Sequence, residues 1–165
     1  MRDEEGRRRA GLLQVACLQP RHCAPEIAGP GQDWAQNVGE DRWHKAWPMR
    51  SLSEAGAVPA FSSDWNVAEM DPMIGIYTAL TRRPLDGGDP WQPAETVSAE
   101  TAVYGYTVGS AYANFLEEER GSLTVGKAAD FVILSRDILT VPADRIPGTV
   151  AETVVVAGEV VHRAA

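Results

Sequence analysis

The residues best placed for chemistry lie at the end of a short apolar run. Residues 57–61 (AVPAF) are followed at once by Ser62, Ser63, Asp64 and Trp65. A polar cluster at the end of a buried strand is where α/β folds put their reactive groups. The Asp64 carboxylate can ligate a metal or accept a proton. The same residue type also caps helices and satisfies turns. Trp65, its neighbour, can wall a pocket or pack a rim. His22 follows a second apolar run, residues 12–18, just after Pro20. The remaining histidines are His44, in a tryptophan-rich stretch, and His162, near the C-terminus. Cys17 and Cys23 stand in a C-x5-C spacing that is not a zinc pattern.

These groups need elements to hold them. Residues 12–18 (LLQVACL) are apolar, short and stopped by Gln19-Pro20, which predicts a buried strand. A Pro- and Gly-rich loop follows. Residues 34–52 read as a polar helix with Trp34, Trp43 and Trp47, in which Trp43 and Trp47 share a face and Pro48 marks a kink or break. These tryptophans read as a packing face. Gly56 ends that helix and residues 57–61 form the second strand. Residues 71–81 predict a helix with Pro72 in its first turn. Residues 98–116 predict an amphipathic helix capped by Ser98, with Ala102, Tyr106, Ala113 and Leu116 on one side. From Gly121 the pattern changes to a short strand, a turn at Gly126-Lys127, a β-rich run over 131–134 and a hairpin at Ala157-Gly158. Lys127 and Asp130 are expected to serve the turn and not chemistry. Two strands with helices cannot close a parallel barrel. The tail strands make a thin sheet with one face uncovered.

Bulk properties narrow the function classes. The 165 residues suffice for one modest domain, and 44% hydrophobic content fits a globular chain. A formal charge of -8 argues against nucleic-acid binding, despite five arginines among the first 21 residues. Two cysteines are too few for a disulfide scaffold, and no signal-type or membrane-spanning apolar segment is present in the sequence. A reducing, cytoplasmic location is the expectation.

Five segments, in order, resemble one family. VACLQPRHCAP resembles the penultimate barrel strand of the amidohydrolase superfamily, in particular its amidohydrolase-3-like branch. AGAVPAFSSDWNVAEMDPMIGIYTALTR resembles the last barrel strand and the loop after it. ETVSAETAVYGYTVGSAYANF resembles the helix after the barrel, GSLTVGKAADFVILSRDIL the return to a small β-sandwich, and TVVVAGEVVHR the closing hairpin. Together they span residues 12–163.

The resemblance implies an α/β fold: the end of a (β/α)8 TIM-like barrel, contributing the last two barrel strands with their helices, followed by the β-rich tail of a composite β-sandwich. Residues 1–11 would be a disordered N-terminus, 12–119 the barrel part and 120–165 the sandwich tail. It implies a divalent metal, zinc by family habit, that activates water to hydrolyse a carbon–nitrogen bond of a small amide. Asp64 matches the family's last-strand aspartate, which binds the metal and takes the proton from that water. His22 and Trp65 would line the substrate pocket.

The sequence departs from the family by lacking its His-x-His motif, and a tight zinc site wants about three protein ligands. The expectation is therefore the C-terminal portion of an amidohydrolase, inactive alone. The alternative is a catalytically inactive module that self-associates or pairs with a complementary N-terminal half.

Overall fold

The two short apolar runs become strands and lie side by side. β1 (Leu13–Cys17) and β2 (Val58–Ser62) pair in parallel, with Leu13 opposite Val58 and Cys17 opposite Ser62. The computed structural model describes residues 13–17, 33–63, 65 and 69–165. In β2 three consecutive residues, Pro59, Ala60 and Phe61, are buried, so both faces of the strand are covered.

Parallel strands need a long crossover, and this one contains α1 (Asp33–Val38), a 3-10 segment (Glu40–Lys45) and α2 (Met49–Glu54). The single helix predicted over 34–52 is thus broken twice. Gly39, at φ 87, separates the first two pieces. Trp47, at φ 49, precedes Pro48, and a residue before proline is driven out of the right-handed helical region. Trp43 and Trp47 therefore do not share one helix face. Trp47 instead meets Trp91 edge-on, with ring centroids 5.5 Å apart.

α3 (Pro72–Thr81) starts as the sequence predicts. The Asp71 side chain accepts from the Met73 N–H at 2.9 Å, and Pro72 sits where its missing N–H costs nothing. It ends at Arg82, in the left-handed region at φ 57 and only 1% exposed. A buried cation needs partners. Arg82 Nε donates to the Trp91 carbonyl at 3.1 Å and Nη1 to the Trp47 carbonyl at 3.4 Å, with the guanidinium 5.7 Å from the Trp91 ring centroid. This knot ties the segment before α2 to the loop after α3. Buried Glu95 adds a second tie, because its carboxylate accepts from both the Ser51 N–H (3.0 Å) and the Ser51 hydroxyl.

The helix predicted over 98–116 is capped by Ser98, whose Oγ accepts from the Thr101 N–H at 3.2 Å. It is not one α-helix. α4 (Ala99–Tyr104) opens into a π-turn (Gly105–Gly109) and closes again as α5 (Ser110–Ala113). Its buried positions are Ala102, Gly105, Gly109 and Ala111, while Tyr106, Ala113 and Leu116 are half-buried.

In the tail, the short strand predicted before Gly126 does not form. Residues 122–125 pair with no described strand, and Leu123 and Val125 are exposed. The turn at Gly126-Lys127 does form, with Gly126 at φ 98 and the Lys127 N–H on the Thr124 carbonyl. β3 (Phe131–Leu134), β4 (Ala151–Val156) and β5 (Glu159–Arg163) make an antiparallel sheet in that spatial order. The β4–β5 turn is Ala157-Gly158, as predicted. Lys127 and Asp130 hold the junction: the Lys127 ammonium donates to the Glu117 carbonyl, and Asp130 Oδ1 accepts from the Ala157 N–H at 2.7 Å. Arg120 lies 3.3 Å from the other Asp130 oxygen.

The fold is mixed α/β with a three-stranded antiparallel sheet. The core cluster is Met49, Phe61, Met73, Ile76, Ala79, Ala102, Ile138 and Ile146. The last two residues come from the segment between β3 and β4, so the tail's connecting segment and the β2–α3–α4 layer share one interior. The sheet itself stays thinly covered, with Val132, Ile133, Val156, Val160 and Val161 all exposed.

Candidate functional site

The exit of β2 is clamped by the π-turn. A Cβ added to Gly109 would stand 1.7 Å from the Pro59 carbonyl oxygen, and one added to Gly105 would stand 2.6 Å from Cδ2 of Phe61. Only glycine lets helix and strand backbones come this close. The Ser110 hydroxyl completes the contact. It lies 3.2 Å from the Phe61 carbonyl and 2.8 Å from the Gly105 carbonyl, and donates its one proton to these two acceptors. In an α-helix, residue 110 would point about 140° away from residue 105. The wider i→i+5 turn brings both onto the face that meets β2.

Tyr106, a residue of the same π-turn, adds a further contact. Its ring packs edge-on against Phe61 with centroids 6.0 Å apart. Its hydroxyl occupies the space over Gly75 of α3, where a Cβ would be 1.8 Å from the oxygen. β2, α3 and the π-turn thus interlock around Phe61, and the strand leaves this clamp at Ser62, which is exposed, and Ser63, which is half-buried.

The sequence-predicted site residues stand as follows. Asp64 and His22 lie outside the described residues. Trp65 is described and 66% exposed, and Met70, later in the same connection, is 65% exposed. His44 is exposed on the 3-10 segment, and His162 is exposed on β5 opposite Val154. Among the described residues, no group of three or more His, Cys, Asp or Glu side chains could hold a metal ion. The described residues alone do not fit the metal that the sequence resemblance implies.

Arg50 and Glu100, both on helix surfaces, have displaced acidity. The Glu54 carboxylate, 2.7 Å from Arg50, raises the pKa of that guanidinium. The Glu100 carboxyl is held below the usual carboxylate range by its own backbone N–H and by the Ser98 hydroxyl. A groove of about 430 Å³ lies between Val103 of α4 and Val132, Leu134, Arg136 and Ile138, and is lined by no described residue of β2 or of the connection after it. No described helix is long and apolar enough to cross a membrane.

Sequence reasoning missed Ser110, Gly109, Gly105, Gly75 and Tyr106 as the parts that fix the strand exit. The one available signal was the pair of glycines four residues apart in an otherwise helical pattern, which marks a close backbone approach.

A family model described as the amidohydrolase family matches residues 1–162. Protein LONG AFTER FAR-RED 3 of Arabidopsis thaliana is 38% identical over 122 residues, covering 73% of this chain and 20% of that protein. N-substituted formamide deformylase of Arthrobacter pascens is 34% identical over 115 residues, covering 69% of this chain and 20% of that one. The crystal structure of an uncharacterized metal-dependent hydrolase from Pyrococcus furiosus superposes with a TM-score of 0.59 at 31% identity, over 84% of this chain and 26% of that one. The chain thus spans about a fifth of the length of the two relatives.

Proposed function

The chain belongs to the amidohydrolase family, and on that premise we propose that it is the C-terminal portion of a metal-dependent hydrolase that cleaves a non-peptide carbon–nitrogen bond in a small amide. The observation that carries this reading is the parallel β1–β2 pair, whose second strand is locked at Phe61 and runs directly into the Ser62-Ser63-Asp64-Trp65 sequence. Strand ends in parallel sheets are where such folds assemble reactive groups from several loops. In this reading residues 12–119 are the end of a (β/α)8 barrel and residues 120–165 the tail of a composite β-sandwich. Two parallel strands and a three-stranded sheet are supporting pieces of those two architectures, and each needs further strands to close.

We assign Asp64 as the carboxylate that ligates the metal and serves as general base, and His22 and Trp65 as substrate contacts. Zinc suits a site of this family, and its chemistry is to acidify a bound water and polarise a carbonyl. The name of the Arthrobacter relative favours an N-substituted formamide as the first substrate to try. A cytoplasmic location accords with a chain that has only two cysteines. We assign the rest of the ligand set to a complementary N-terminal half, because the sequence lacks the family's His-x-His motif.

The test measures zinc retained after dialysis by the chain mixed with a complementary N-terminal half, for the wild type and for Asp64→Asn, together with turnover of a panel of N-substituted formamides and other small amides by the mixture and by the chain alone. The expected result is zinc retention by the mixture that Asp64→Asn weakens, and no turnover by the isolated chain. Equal retention in both proteins removes Asp64 from the ligand set. Zinc-dependent turnover by the isolated chain overturns the assignment as a dependent portion.

A further inference from the structure

We draw no further inference here: the strongest candidate, the apolar face that Phe131, Ile133 and Val160 present on the three-stranded tail sheet, carries nothing because nothing in the structure shows what covers it.

Discussion

The Ser110 hydroxyl reaches the Phe61 carbonyl at 3.2 Å across 49 positions of sequence, and this contact exists because the helix carrying Ser110 is widened by one residue at Gly105–Gly109. Two substitutions separate the hydrogen bond from the close approach. Ser110→Ala removes a hydroxyl that has a second acceptor nearby, so its cost is about 1 kcal/mol. Gly109→Ala drives a methyl group to 1.7 Å from a backbone oxygen, which no rotamer can relieve. That overpacking costs about 3 kcal/mol. Urea denaturation of the two variants checks the order. Gly109→Ala as mild as Ser110→Ala would mean that the strand and the π-turn can separate freely.

Gly75 and Tyr106 meet in a way that predicts a rescue. An alanine at 75 would place Cβ 1.8 Å from the Tyr106 hydroxyl but 2.8 Å from the ring carbon behind it. Here the obstacle is the far end of a side chain, so Gly75→Ala costs about 2 kcal/mol. Tyr106→Phe in the same chain relieves the worst part of the clash. The double variant is expected to be more stable than Gly75→Ala alone, a coupling of about 1 kcal/mol between touching residues. Thermal melts of the two single variants and the double variant decide it, and strict additivity would show that the hydroxyl does not fill that space.

These contacts also mark where sequence reading stops. The strands at 13–17 and 58–62, the cap at Asp71 with Pro72 behind it, the cap at Ser98 and the turn at Ala157-Gly158 were legible because each depends on local composition. The π-turn was not, because a helical pattern runs unbroken through residues 98–116 and only the approach of β2 favours a wider turn. Residues 122–125 have strand-like composition but no partner strand among the described residues, and a strand without a ladder does not form. Arg82 opens a Pro- and Gly-rich loop, yet it is 1% exposed, with its guanidinium on two tryptophan carbonyls and near a tryptophan ring. Of the site, the position of the β2 exit and the presence of Trp65 beside it were legible. The residues that clamp the exit were not, since glycine, serine and tyrosine declare no chemistry from their spacing alone.

The α4 terminus gives a pH-dependent prediction. The Glu100 carboxyl is held low by its own backbone N–H and then by the Ser98 hydroxyl. A carboxyl whose folded-state pKa lies below its unfolded value adds stability at pH above the unfolded value, and that contribution is lost as pH falls through the lowered one. Ser98→Ala should therefore move the Glu100 titration upward toward the ordinary carboxylate range, and should itself cost about 1 kcal/mol as a lost N-cap. Side-chain carboxyl titration by NMR reads the first effect and denaturation at neutral pH the second. A Glu100 midpoint unchanged in Ser98→Ala would show that the backbone N–H alone sets it.

The β4–β5 turn is built with an unfavourable residue, and correcting it should stabilise the tail. Ala157 sits at φ 50 and Gly158 at φ 84, the pair of positive values that a two-residue type I′ hairpin turn requires. Glycine meets that demand at no steric cost, whereas alanine pays for its Cβ in the left-handed region. Asparagine tolerates the same conformation, and Asn-Gly is the preferred sequence for this turn. The tie to Asp130 uses the Ala157 backbone N–H and not its side chain, so it survives the change. Ala157→Asn is therefore expected to stabilise the chain by about 1 kcal/mol. It should also slow amide exchange across β4 and β5. Loss of stability in this variant would mean that residue 157 does not hold a positive φ in solution.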